Sequence, residues 1–223
     1  MLNNKTILAV IPARRGSKRL QNKNKLLFCK KPLIEWTILE AKKSNYLDDI
    51  ILSSDDDDII KFCQKYGIKV PFKRPENLCK DNSKTIDVIL HALENIKEKY
   101  DYIMLLQPTS PLRTAKDIDR CIELLFERKI LSVVSISEIN IQPNWIYRMT
   151  NNGIIKQLTK SNIEAKRYLL NGAIYLTKIS HLRKNKSFFS QQTLGYKMPP
   201  ERSIDIDNHF EFKIAEYLKS KKQ

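Results

Sequence analysis

Glycine is scarce in this chain, with 5 residues in 223. That scarcity rules out the two familiar glycine-built phosphate cradles: no Gly-x-x-x-x-Gly-Lys loop occurs, and no Gly-x-Gly-x-x-Gly fingerprint. The 4 cysteines, Cys29, Cys63, Cys79 and Cys121, are scattered without a Cys-x-x-Cys pair or histidines at zinc-ligand spacing, so neither a metal knuckle nor a disulfide framework is expected. No apolar run approaches the roughly 20 residues of a membrane span, and Ile7 to Ile11 is too short for a signal peptide. A soluble, cytoplasmic protein without membrane contacts is expected. Acidic residues are also in deficit, 25 against 40 Lys and Arg, for a formal charge of +15. A surplus of that size favours polyanionic ligands without choosing among nucleic acid, anionic lipid and a nucleoside triphosphate. Against nucleic acid stands the lack of any run of five or six basic residues and of any zinc-finger or RNA-recognition signature.

Strand-like and helix-like stretches alternate through the first 136 residues, the pattern of a mostly parallel sheet flanked by helices. The expected strands are Ile7 to Ile11, Asp49 to Ser53, Ile68 to Phe72, Tyr102 to Leu106 and Leu131 to Ile136. The expected helices are Pro32 to Ser44, Asp56 to Tyr66, Lys84 to Lys99 and Ala115 to Arg128. From Glu138 to about Leu170 the period is lost around Pro143, Trp145 and the turn Asn151-Asn152-Gly153, which predicts a two-stranded excursion. Strands at Ala173 to Leu176 and Thr193 to Lys197 and a helix from His209 to Lys219 follow. Residues 1–223 are expected to form one α/β domain.

The first strand empties into Pro12 to Asn24, thirteen residues with five cations and no acid. At the carboxyl end of the first strand of an open α/β sheet, such a loop lies where ligands bind by geometry. Arg14, Lys18 and Lys23 supply charge for an anion, and the turn at Gly16-Ser17 can aim backbone N–H groups at it. A solvated basic loop is the plainer alternative. Further on, Asp205 and Asp207 are two apart, so in an extended segment both carboxylates face one way. That suits Mg²⁺, which takes one or two protein carboxylates and completes its shell with water and phosphate oxygens. The alternative is a helix N-cap, with Asp207 or Asn208 capping before His209 and Ser83 before the helix at Lys84.

Six segments in order make a more specific signal: Ile11-Pro12-Ala13-Arg14 with Gly16-Ser17-Lys18 and Lys23-Asn24; Ser53-Ser54-Asp55; Lys73-Arg74-Pro75; Leu106-Gln107-Pro108-Thr109-Ser110-Pro111-Leu112-Arg113; Asn171-Gly172-Ala173-Ile174-Tyr175; and Asp205-Ile206-Asp207. Together they resemble the acylneuraminate cytidylyltransferase family over nearly the whole chain. The resemblance implies a Rossmann-like α/β fold and a homodimer in which the excursion at about 138–170 reaches the partner. It implies transfer of CMP from CTP to the anomeric hydroxyl of an acidic nine-carbon sugar, with Mg²⁺ or Mn²⁺ at Asp205 and Asp207. Arg14, Lys23 and Asp207 take catalytic positions. Arg14, Ser17, Lys18, Lys23, Asn24, Arg74, Ser83 and Thr85 match CTP contacts, and Gln107, Asn171, Tyr175 and Phe189 match acceptor contacts.

Departures fall on the acceptor side. Pro143-Asn144-Trp145 stands where sialic acid enzymes carry a lysine shortly after a proline, and Ile163 to Tyr168 lacks their Arg-Gln-x-Leu-Pro pattern, leaving Lys166 or Arg167 to meet a substrate carboxylate. The loop has Arg19 where many relatives have glycine. The acceptor is expected to be a nonulosonic acid, sialic or a bacterial analogue such as legionaminic acid. The alternatives are 3-deoxy-octulosonate activation and, from another class, non-catalytic RNA binding.

Overall fold

The computed structural model describes residues 4–17, 19–158 and 166–221. Its strands are β1 (Ile7–Pro12), β2 (Leu27–Phe28), β3 (Lys31–Pro32), β4 (Asp49–Ser53), β5 (Tyr102–Leu106), β6 (Ser132–Ile139), β7 (Tyr147–Met149), β8 (Ile155–Gln157), β9 (Arg167–Lys178) and β10 (Leu194–Lys197). The helices are α1 (Leu33–Lys42), α2 (Asp57–Lys65), α3 (Thr85–Glu94), α4 (Ala115–Glu127), α5 (Ile179–Asn185) and α6 (His209–Ser220).

Six strands form one sheet in the order β10-β6-β9-β5-β1-β4. The neighbours are parallel except on either side of β9, which runs antiparallel to both β5 and β6. β1 explains why the sheet is covered on both faces. Its residues from Ile7 to Ile11 are all fully buried, and they alternate between two apolar layers. Ile7, Ala9 and Ile11 pack into one layer with Met104, Leu106 and Ile122; Leu8 and Val10 pack into the other with Ile89, Ile103 and Leu182. A strand buried on both faces reads as an unbroken apolar run, as this one does. Each such side chain contributes about 1.5–3 kcal/mol of transfer free energy.

The strand expected at Ile68 to Phe72 does not form. Only a bridge between Ile51 and Lys69 is present, because Pro71 has no N–H to continue a ladder at the sheet's edge. α3 ends five residues before the expected Lys99; Asn95 Nδ2 donates to His91 O at 2.8 Å, a side-chain bond that competes with the next helical turn. The strand expected at Ala173 to Leu176 runs from Arg167 to Lys178. Its first residues run past the end of β5, paired with Ile136 to Ile139 of β6. The excursion carries the β7–β8 hairpin, as the loss of period predicts. Among the described residues no helix is long and apolar enough to cross a membrane.

Candidate active site

β1 lies between β4 and β5, with α1 and α2 packed on one face of the sheet and α3 on the other, and a crevice opens at the strands' carboxyl ends. A cleft of about 350 Å³ occupies that place. The loop after β1 forms its near wall and is fastened at several points: Ala13 N donates to Ser53 O at 2.9 Å, Arg15 N to Asp55 Oδ1 at 2.8 Å, and Asn24 Nδ2 to Arg14 O at 3.2 Å. Leu20 is the apolar anchor, buried in a third cluster with Phe28, Leu33, Trp36, Leu112 and Ile206.

Ile206 settles the orientation of the two aspartates. Its side chain is fully buried in the Leu20 cluster, its N–H donates to Thr109 O at 2.8 Å, and Asp205 and Asp207 on either side both line the cleft. The helix cap is Asn208, whose Oδ1 accepts from Phe210 N and Glu211 N while Glu211 closes a capping box. Asp207 is thereby free of the capping role. Its oxygens accept instead from Lys23 Nζ at 3.1 Å and Arg19 Nη2 at 2.9 Å. Lys23 also donates to Ile206 O at 2.9 Å. Burial pushes the Asp205 carboxyl above its ordinary range; a Thr109 hydroxyl hydrogen bond opposes this, and the charge of Asp207 adds to it.

Asp205 Oδ1 is buried without a hydrogen-bond partner. An orphaned carboxylate oxygen is costly, and one beside a second carboxylate on the same wall fits a hard divalent cation. Among the described residues no group of three or more His, Cys, Asp or Glu could hold a metal. The fit is therefore to a cation that draws its remaining ligands from water and a bound phosphate, the usual arrangement for Mg²⁺.

The far wall is the segment from Arg74 to Thr85. Arg74 is buried beneath the end of β4, donating through Nε to Ser53 Oγ at 3.0 Å and through Nη2 to Ser53 O. Burial lowers its pKa. Arg14 spans the two walls, with Nη2 on Asp81 at 2.6 Å and Nη1 on Cys79 O at 3.2 Å. Ser83 is not the N-cap of α3: its hydroxyl donates to Asn77 O at 3.1 Å, and Lys84 caps without a side-chain bond. Ser83 and Thr85 therefore stand at an uncapped helix start on the cleft, where the macrodipole favours anions.

Arg14, Ser17, Lys23, Asn24, Arg74, Ser83, Thr85, Gln107, Asp205 and Asp207 all line this one cleft. Lys18 lies outside the described residues, as do Ile163, Glu164 and Ala165. Three expected acceptor contacts are placed elsewhere. Asn171 is buried, and its amide is consumed by a bulge in β9: Oδ1 accepts from Ser135 Oγ at 2.6 Å and Ala173 N at 3.2 Å, while Nδ2 donates to Ser203 Oγ at 3.0 Å. Tyr175 stands behind the cleft with its ring against Phe188 and Phe189 at 5.6 and 6.4 Å. Burial raises its phenol, and the charge of Asp205 adds to the rise. Phe189, 45% exposed, lines a separate groove with Leu131 and His181. Arg167 donates to Ile141 O and Gln142 Oε1, away from the cleft, and Lys166 is exposed.

Gly172 and Asp117 support the cleft in ways that the sequence motifs do not mark. Gly172 has φ +72°, and a Cβ there would lie 3.0 Å from both Asp205 Oδ2 and Gln107 Oε1, so only glycine lets β9 pass so close. Asp117 is fully buried and accepts from Arg202 Nη2 at 2.7 Å, Arg202 Nε at 3.0 Å and Tyr196 OH at 2.9 Å. That cluster ties the turn just before Asp205 to α4. Nothing in the spacing of Asp117 and Arg202 announces a pair 85 residues apart.

The family model for cytidylyltransferase matches residues 8–221. Among curated proteins, CMP-N,N'-diacetyllegionaminic acid synthase of Legionella pneumophila is 36% identical, with 95% of each chain covered. N-acylneuraminate cytidylyltransferase of Escherichia coli O18:K1:H7 is 34% identical over 97% of this chain, which spans 52% of that protein's length. Pseudaminic acid cytidylyltransferase of Campylobacter jejuni is 28% identical, with 95% of each covered. A solved CMP:2-keto-3-deoxy-manno-octonic acid synthetase complexed with CTP superposes with a TM-score of 0.74 at 15% identity, over 98% of this chain and 100% of that one. At that identity it is a likeness of fold.

Proposed function

Because this chain belongs to the cytidylyltransferase family, we propose that it is the nucleotidyltransferase that moves CMP from CTP onto the anomeric hydroxyl of a nonulosonic acid. The observation that carries the reading is one cleft in which a basic loop faces two carboxylates, one of them with a buried orphaned oxygen. The acceptor we favour is of the legionaminic type, since a relative 36% identical over 95% of both chains is named for that acid.

In this reading Arg14, Ser17, Lys18 and Lys23 hold the triphosphate, and Asn24, Arg74, Ser83 and Thr85 hold the ribose and cytosine. Arg74 suits the base because a guanidinium only donates, and cytosine offers carbonyl and ring-nitrogen acceptors. Gln107 presents its amide to the acceptor. The anomeric hydroxyl gives its proton to a carboxylate of the Asp205 and Asp207 pair as its oxygen attacks the α-phosphorus, the bond from that phosphorus to the bridging oxygen breaks, and pyrophosphate leaves. Asp205 and Asp207 would hold Mg²⁺ or Mn²⁺, which neutralises charge developing on the phosphates. Lys23 and Arg19, resting on Asp207 at 3.1 and 2.9 Å, exchange that carboxylate for phosphate oxygens when CTP enters. The rate then comes from positioning and preorganised charge.

The exposed apolar side chains of the excursion, among them Trp145, Met149, Ile155 and Leu158, favour pairing with a second copy of the chain in the cytoplasm.

Pyrophosphate release from CTP or UTP, with a panel of legionaminic, pseudaminic and N-acetylneuraminic acids and 3-deoxy-octulosonate, tests the function. CTP-dependent release with a nine-carbon acid is expected. Release only with the eight-carbon acid would reassign the acceptor, and no release with any would remove the proposal.

A further inference from the structure

The two strands beneath the cleft stop pairing where the cleft begins. The antiparallel ladder of β5 and β9 runs to the pair Leu106 and Ile174. One residue further, Ala173 turns its N–H to Asn171 Oδ1, Pro108 has no N–H, and Gly172 leaves strand geometry at φ +72°. The carbonyls of Gln107 and Ala173 have lost their cross-strand donors there. Arg113 bridges them: Nη1 donates to Gln107 O at 3.2 Å and to Ala173 O at 2.7 Å, and Nη2 donates to Thr37 Oγ1 on α1 at 2.8 Å, while Ser110 N and Thr37 Oγ1 reach Gln107 O only at 3.4 and 3.5 Å.

The Arg113 side chain is 1% exposed, its Nε has no partner, and it makes no ion pair among the described residues. Burial lowers its pKa to about 10, with Asp117 and Glu40 only attracting it from a distance. A buried cation held by neutral acceptors stabilises less than an apolar side chain of similar volume. What packing alone could not supply is a rigid fork of donors. On the cleft side of the fork, a Cβ at Gly172 would lie 3.0 Å from both Gln107 Oε1 and Asp205 Oδ2, and Ile206 N on Thr109 O hangs Asp205 on the segment after β5, so a slip of that strand end displaces both groups.

We propose that Arg113 is a positioning residue for the transfer step: by tying the ends of β5 and β9 it holds Gln107 and Asp205 in register. The proposal rests on the function given above, so its test has one arm independent of turnover. In Arg113→Lys and in Thr37→Val, hydrogen exchange followed by mass spectrometry should quicken at residues 107–110 and 171–174 and remain as in the wild type across β1 and β4. In the turnover arm, kcat for pyrophosphate release should fall about 10- to 100-fold for Arg113→Lys, the scale of a small misplacement at the reacting centre, with calorimetric CTP affinity within about threefold. Unchanged exchange in both variants overturns the tie whatever the enzyme's substrate. Quickened exchange with unchanged kcat, or with CTP affinity falling in step with kcat, overturns the positioning role. If the wild type turns over no acidic sugar, the proposed function fails and the exchange arm decides on the tie alone.

Discussion

Asp205 is the residue at which stability and the proposed chemistry oppose each other. Its carboxyl is buried with one oxygen unpaired and its pKa raised. A carboxyl whose folded pKa lies above the unfolded value costs stability once the pH has risen through both. Asp205→Asn should therefore leave the melting temperature at neutral pH equal to or above that of the wild type in a thermal melt, while pyrophosphate release collapses by at least about 10²-fold. Retained turnover at saturating Mg²⁺ would remove Asp205 from the site. Gly172→Ala should lose stability as well as turnover. The backbone there is left-handed, at a cost of about 1–2 kcal/mol for a residue with a Cβ, and that Cβ would sit 3.0 Å from Gln107 and Asp205.

At the scale of elements, the turn that delivers Asp205 hangs on α4 through Asp117. Burial alone would raise that carboxyl, but the hydrogen bonds from Arg202, Thr114 and Tyr196 outweigh it and hold the pKa below the ordinary carboxylate value. A depressed carboxyl contributes stability that is present above the unfolded pKa, about 3.9, and is lost as the pH falls toward the folded one. Melting temperatures between about pH 6 and pH 3 should fall more steeply for the wild type than for Asp117→Asn. At pH 6 the variant should already be less stable by about 3 kcal/mol or more, the cost of stranding Arg202. A variant with the wild-type slope would show that Asp117 does not govern the acid limb.

The same scale explains what the sequence reading reached. β4 and β5 match their expected ends, because short apolar runs bounded by polar turns leave little freedom. Ile68 to Phe72 is as apolar, yet Pro71 and the edge position deny it a ladder. Asn171 reads as a polar group near a site; the bulge opposite Ser135 makes it a bracket within β9.

For the whole molecule, the unpartnered apolar surface is the open element. Trp145 is 68% and Met149 73% exposed, beside Ile155 and Leu158 on the same excursion. Sedimentation at micromolar concentration should show a dimer, and Met149→Asp with Ile155→Asp should shift it toward monomer with the melting transition of the core retained. A monomeric wild type would overturn the pairing.

The run Ile7 to Ile11, the cation-rich loop after it and the Asp-x-Asp spacing determined, from the sequence alone, a buried first strand with a basic loop at its carboxyl end and two carboxylates facing one way. Periodicity and local charge act over a few residues, and a few residues suffice to read them. The tertiary structure alone decided that Lys23 and Arg19 rest on Asp207, that Asp205 keeps an unpaired oxygen, and that Arg113 closes the ladder between β5 and β9. Those facts depend on groups brought together from distant parts of the chain, up to 184 residues apart for Lys23 and Asp207, and burial sets their energies only once the fold has formed.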